Sequence, residues 1–228
     1  MEIKPIAYIH NEFRDKFGIP RQSGRAAEIV SEIVFEPEFR NPDALRELDG
    51  FDYLWLIFDF SLSHREGFSP TVRPPRLGGN RRVGVFASRS PFRPNSLGLS
   101  SVRLVGTEKR TGKGTVVLVA GADLLDGTPI YDIKPYLPFS DSHPEARSGY
   151  AGEPASHRLE TDDPDGRLES LPDDVRTAVL DCIADDPRPS YIDDPGRVYG
   201  MTYGSFNISF RISGGRAIIT AAEPMNGR

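Results

Sequence analysis

The segment 70–98, PTVRPPRLGGNRRVGVFASRSPFRPNSLG, holds the densest cationic chemistry in the chain. Arg73, Arg76, Arg81, Arg82, Arg89 and Arg93 fall within it with no acidic side chain among them. Pro74, Pro75, Pro91 and Pro94 fix φ locally, while Gly78 and Gly79 permit positive φ and close approach of backbone to a ligand. A stiff loop of guanidinium groups suits phosphate, carboxylate or nucleobase binding, because the fork binds oxyanions through paired hydrogen bonds and also stacks on bases. The bland alternative is a solvated Arg-rich loop with surface ion pairs. A second segment, ADLLDGTPIYDIKPY at 122–136, carries Asp123, Asp126 and Asp132. Their carboxylates could accept hydrogen bonds from ribose hydroxyls or an adenine amino group. Asp126-Gly127 marks a tight turn that Pro129 stiffens on exit, so ordinary turn chemistry explains this segment equally well on its own. No Rossmann fingerprint, Walker loop, nucleophile elbow or zinc-ligand spacing is present, and His10, His64, His143 and His157 are scattered without a metal pattern.

These segments need a frame of short strands. The stretches 6–9, 28–35, 51–60, 83–87, 97–105 and 115–120 are short, rich in β-branched and aromatic residues, and separated by Gly, Pro and Asn. Asn41-Pro42 before 43–48 reads as one short helix, with Asn as N-cap and Pro at the first helical position. About six strands with few helices between them point to a mainly β fold, a sandwich or barrel, and not to a doubly wound sheet. Residues 139–170 are polar and rich in Pro, Gly, Ser and Asp, as in a linker or long excursion. Beyond it, 172–184 reads as a helix with Val175, Val179 and Ile183 on one side and Cys182 packed within it. Phe206, Ile208, Phe210 and Ile212 then alternate, Gly214-Gly215 turns the chain, and 216–222 returns as the second arm of a hairpin. The expected architecture is an N-terminal β-barrel over 1–140, a linker over 141–170, and a small α+β unit over 171–228.

Composition narrows the function classes. The 228 residues are 38% hydrophobic and 27% charged, an ordinary globular balance. No apolar run reaches membrane-spanning length, and no basic-then-apolar signal segment opens the chain. The single cysteine, Cys182, cannot form an internal disulfide, which fits a reducing cytoplasm. The net charge of −5 divides unevenly, +1 over residues 1–150 and −6 over 151–228. A nucleic acid would therefore meet arginines gathered on one face and not a generally basic surface. Arg outnumbers Lys by 23 to 5, a bias that base composition alone could produce.

Three motifs together make the sequence recognisable: PTVRPPRLGG at 70–79, GVFASRSPFRPNSLGLS at 84–100 and DLLDGTPIYDIKPYLPF at 123–139. With Pro20-Arg21-Gln22, Asp186-Pro187-Arg188-Pro189, Tyr191 and Phe206-Asn207, they closely resemble the tRNA threonylcarbamoyl-adenosine N6-methyltransferase family. The resemblance runs over nearly the whole chain and is weakest at about 150–170. It implies a homodimeric β-barrel enzyme with a small C-terminal domain that uses S-adenosylmethionine to methylate N6 of the modified adenine just 3′ of the anticodon. It implies that Pro20, Arg21, Gln22, Arg89, Leu99, Asp123, Leu124, Leu125 and Asp126 hold the cofactor. Family members often carry a His-Gln pair after the central apolar strand; here those cofactor-contacting places hold Ser61 and Leu62, with His64 slightly later.

The reaction needs an in-line approach of nitrogen to the methyl carbon, so positioning two partners supplies most of the catalysis and no covalent nucleophile is required. Asp132 is a candidate acceptor for the N6 proton, and Lys134 or Arg188 for holding the threonyl carboxylate. Arg73, Arg76, Arg81, Arg82 and Arg93 are candidates for phosphate, and Tyr191 or Phe206 for stacking on a base. No metal is implied. Two rivals stay open: a methyltransferase of the same fold with another acceptor, and a non-catalytic barrel that senses the cofactor or modified tRNA.

Overall fold

The computed structural model describes residues 2–152, 158–188 and 194–225, with backbone alone at Arg76. Six strands close into an antiparallel barrel: β1 (Ala7–His10), β2 (Val30–Phe35), β3 (Tyr53–Asp59), β6 (Leu97–Arg110), β7 (Gly114–Ala120) and β8 (Pro129–Pro135). Their order around the wall is β1-β2-β7-β6-β3-β8. The period-2 alternation decides what lies inside. Ile9, Ile33, Leu54, Leu56, Val102, Val117, Val119 and Ile130 form a closed apolar core, each 1% exposed or less. Trp55, Ile57 and Leu99 alternate outward from the same strands.

The expected barrel is present, with differences in its parts. Strand β8 carries no strand signal in the sequence because Pro stands at both its ends and Asp132 and Lys134 interrupt its apolar character. Pro is tolerated where no ladder donor is needed, and β8 bridges β3 and β1 to complete closure. The expected strand at 83–87 is only β5 (Val83–Gly84), paired outside the barrel with β4 (Thr71–Val72); a 3₁₀ turn, Val85–Ala87, follows. Asn41 does cap a turn, accepting from the Asp43 N–H, but the turn is the 3₁₀ element Pro42–Leu45 and not an α-helix.

Two close approaches lock the barrel beside the cationic loop. Gly98 faces the core, where a Cβ would lie 2.2 Å from the Phe58 ring, so any other side chain collides with a buried aromatic. Gly121 has φ +74°, and its absent Cβ would sit 3.2 Å from the backbone of Gly24. Gly24 N–H donates to the Gly121 carbonyl at 2.8 Å, fastening the 20–29 loop to the end of β7.

The second core belongs to a four-stranded sheet, β10 (Val198–Tyr203), β11 (Phe206–Ser213), β12 (Arg216–Pro224) and β9 (Glu160–Asp162), in that order. The hairpin β11–β12 matches the expected one, and, after the one-turn helix α1 (Pro138–Asp141) that follows the barrel, the helix α2 (Asp173–Ala184) covers the sheet with Val179 and Ile183 fully buried. The polar stretch before α2 contributes β9, which runs parallel to β12, and buries Leu159, Leu168 and Leu171 in this core. Phe13, Ala26 and Ile29 from the first 30 residues also enter it, so the segment leaving β1 is sandwiched between the two cores.

Candidate active site

That sandwiched segment brings distant motifs into one chain of contacts. Pro20 is buried and anchors the turn; Arg21 and Gln22 project from it, exposed. Arg21 donates through Nη2 to the carbonyl of Arg188, from the far end of the sequence. The Gln22 amide donates to the Arg21 carbonyl at 2.6 Å, and its Oε1 accepts from Arg89 Nη1 at 2.7 Å. Asp123 lies next, accepting from the Ser100 hydroxyl at 2.6 Å. Burial pushes the Asp123 carboxyl above its ordinary value, and the Ser100 hydroxyl, backbone N–H groups and the charge of Arg89 pull it partly back. A carboxylate in low dielectric beside guanidinium groups is a place where a ligand cation and a ligand anion can both be met.

The C-terminal part of this cluster is braced. Arg25 pairs with Asp185, and Arg188 is held by Asp186 through Nε and Nη2, both at 2.8 Å. Asp186 takes positive φ, 52°, a conformation that Asp tolerates better than most residues and that turns the chain after α2. Tyr191, the proposed stacking residue, lies outside the described residues.

Other candidates sit elsewhere or are engaged differently. Leu99 is 56% exposed on the barrel's outer face, one residue from Ser100. Leu124 packs inside the barrel, and Leu125 against the second core. Asp126 is a separate hub: its carboxylate accepts from the Asn11 N–H and contacts His10 Nδ1, both at 3.2 Å, and pairs with Arg14 at 2.9 Å. Asp132 and Lys134 form an ion pair of 2.8 Å on the outer face. Asp132 is level with Leu99, both flanking Ile57. Trp55, Ile57, Leu99 and Lys134, with Ser140, Asp141 and His143, line an open depression of about 380 Å³. Ser61 and Leu62 occupy a 3₁₀ turn after β3, where Lys16 Nζ donates to the Leu62 carbonyl at 3.3 Å.

The arginines of the cationic loop divide. Arg93 donates to the carbonyls of Val85 (3.3 Å) and Ser88 (2.7 Å), clasping its own loop. Arg82 binds Thr71 across β4–β5. Arg73 and Arg81 are exposed. Phe206, the other stacking candidate, packs partly buried against the second core.

Sequence reasoning missed Ser100 and the Asp59–His64 contact of 2.7 Å. Both carry a signal: Ser100 is a hydroxyl at an inward position between Gly98 and Val102, and Asp59 is a carboxylate ending an apolar strand.

Comparison with known proteins identifies the family. Residues 8–142 match the tRNA-methyltransferase O N-terminal domain and residues 161–225 the TrmO C-terminal domain. A tRNA (adenine(37)-N6)-methyltransferase of Escherichia coli is 38% identical over 98% of this chain and 98% of its own. One from Eikenella corrodens is 46% identical over 78% of this chain and 99% of its own. A crystal structure of TrmO from Pseudomonas aeruginosa superimposes with a TM-score of 0.79 at 31% identity, covering 98% of this chain and 97% of that one. With both family models matched along the chain, a relative 38% identical over 98% of it and a solved structure of the same fold, the chain belongs to the TrmO family of tRNA methyltransferases.

Proposed function

We propose that this protein transfers the methyl group of S-adenosylmethionine to N6 of adenine 37 in tRNA, and that the acceptor adenine carries a threonylcarbamoyl group. The observation that carries the reading is the contact chain Arg188–Arg21–Gln22–Arg89, with the half-buried carboxylate of Asp123 held beside it by the Ser23 N–H and the Ser100 hydroxyl. The donor set fits the cofactor: guanidinium groups for its carboxylate, and Asp123 for its ribose hydroxyls or ammonium. When bound, the cofactor supplies an electrophilic methyl on a sulfonium. Arg21, Gln22 and Arg89 hold and orient it, Asp123 offers a desolvated acceptor kept in place by Ser100, and Leu99 adds apolar contact from the outer face of the same strand. Lys134, steadied by Asp132, is placed to meet the threonyl carboxylate at the outer-face depression. Arg73, Arg81 and Arg82 supply phosphate contacts, with Arg76 as a further candidate from the sequence.

A homodimer is part of this reading. Leu62, Leu97, Leu99, Phe68 and Phe86 are exposed by 37% to 73% around the barrel face and its cationic excursion, more apolar surface than a monomer needs there. Cytoplasmic location follows from a tRNA substrate; among the described residues no helix is long and apolar enough to cross a membrane.

Calorimetry tests the cofactor part. Arg89→Ala removes a charge-assisted contact worth about 1.5–3 kcal/mol, so S-adenosylmethionine should bind on the order of tenfold to a hundredfold more weakly. Arg188→Ala should weaken use of modified tRNA far more than cofactor binding. Unchanged cofactor affinity in Arg89→Ala would refute the assigned site.

A further inference from the structure

We propose that His64 accepts the proton released from the target amino nitrogen, and that Asp59 positions it for that task. The inference rests on the methyl-transfer reading above and adds the group that takes the proton. Methyl transfer to an adenine amino group must discard an N–H proton, and a carbamoylated amine is a poor nucleophile because its lone pair is delocalised. An acceptor at the nitrogen therefore helps the bond form.

The carboxylates seen in the candidate site are otherwise engaged. Asp132 is paired with Lys134 and accepts the Ile133 N–H at 2.9 Å. Asp126 holds Asn11, His10 and Arg14. Asp123 is bound to Ser100 beside Arg89. His64 is differently disposed. Its Nε2 lies 2.7 Å from Asp59 Oδ1, and the Asp59 side chain is 10% exposed while that of His64 is 60% exposed. A carboxylate only accepts, so in the neutral ring Nε2 carries the hydrogen and the lone pair is left on Nδ1. A short turn creates this pairing: Ser61–Ser63 folds the chain back after β3, and Ser63 N–H closes on the Phe60 carbonyl at 2.7 Å. Its location is also fitting. Asp59 pairs with Leu97 across β3–β6, two residues from Leu99. Lys16 binds the Leu62 carbonyl and Ser63 Oγ, both at 3.3 Å, and so ties the turn to the segment that carries Arg21 and Gln22.

In the proposed step the N6 electrons form the new N–C bond as the N6 proton moves to His64 Nδ1. The methyl carbon–sulfur bond breaks with its electrons to sulfur, and the imidazolium is met by Asp59 before losing its proton to water. The groups around the pair are Lys16 on the preceding loop, Tyr131 on β8 with Tyr8 behind it, and Arg65 and Glu66 beside His64 in sequence.

The test is single-turnover methylation of modified tRNA across about pH 5 to 9, with saturating cofactor. The wild-type rate should rise through one ionisation. His64→Asn should fall on the order of a hundredfold or more, lose that ionisation, and keep its calorimetric affinity for S-adenosylmethionine. Added imidazole should partly restore His64→Ala. Without any turnover, ¹⁵N spectra should show the His64 proton on Nε2 in the wild type and on Nδ1 in Asp59→Asn. Full activity of His64→Asn, an unchanged pH profile, or an unmoved tautomer in Asp59→Asn would overturn the proposal. A wild-type protein that methylates nothing would instead overturn the underlying reading.

Discussion

Substituting Gly98 by Ala asks whether the barrel wall beside the site is as tightly set as its geometry indicates. The added Cβ would lie 2.2, 2.3 and 2.7 Å from three carbons of the Phe58 ring. Carbon atoms rest about 3.5–4.0 Å apart, so ring or strand must move by more than 1 Å. Phe58 is 4% exposed and packs edge-on against Phe60 at 5.1 Å, which leaves the ring little room. Overpacking of this kind costs about 1–3 kcal/mol, and the entropy gained by replacing a strand glycine returns about 0.5–1 kcal/mol. The expected net loss is about 1–2 kcal/mol, or a fall in Tm of roughly 2–8 °C for a chain of this size. Urea unfolding, followed through the single tryptophan, Trp55, measures it. The function should suffer more than the fold, because Gly98 is two residues from Ser100 and a displacement near 1 Å can cost about 100-fold in rate. Phe58→Leu shortens the obstructing side chain, so Gly98→Ala should cost under about 0.5 kcal/mol in that background. Additive penalties for the two substitutions would refute the close-approach argument.

Two further outcomes follow from burial. The folded-state value of Asp123 is raised, so its ionisation opposes folding: the stability present at low pH is lost as pH climbs through that raised value. Asp123→Asn should therefore be more stable than wild type at neutral pH and show a flatter stability profile above the ordinary carboxylate range, while losing cofactor affinity; urea midpoints at several pH values, with calorimetry, check both. Burial also pushes the Cys182 thiol up to about 12, and the side chain is 1% exposed. An aromatic disulfide reagent at about pH 8 should leave it unmodified in the native protein and react fully once urea unfolds the chain.

The parts of this fold that were legible in the sequence are those where local signals agree with the tertiary outcome. The β11–β12 hairpin alternates cleanly into Gly214-Gly215, and five of the six barrel strands declare themselves by β-branched runs between turn residues. Strand β8 did not, because its hydrogen bonding comes from neighbours far away in sequence while its own residues include two prolines and two charges. Strand β9 has three residues and exists only as an addition to β12. In the site, Arg89, Gln22 and Arg21 were legible through family motifs, and their mutual contacts emerge only when the 13–29 segment is seen wedged between two cores. Arg93 illustrates the opposite limit. Its charge suggested phosphate, yet its guanidinium satisfies carbonyls of its own loop, a role that no composition argument separates from ligand binding.

The central claim is methyl transfer to adenine 37, and nucleoside mass analysis tests it most directly. Purified protein, S-adenosylmethionine and tRNA bearing threonylcarbamoyl-adenosine would be incubated together, and the tRNA digested. The expected result is a mass gain of one methylene on that nucleoside alone, absent when the threonylcarbamoyl group is missing. A gain on another nucleoside would contradict the acceptor assignment, and no gain on any nucleoside despite confirmed cofactor binding would contradict the enzyme assignment itself.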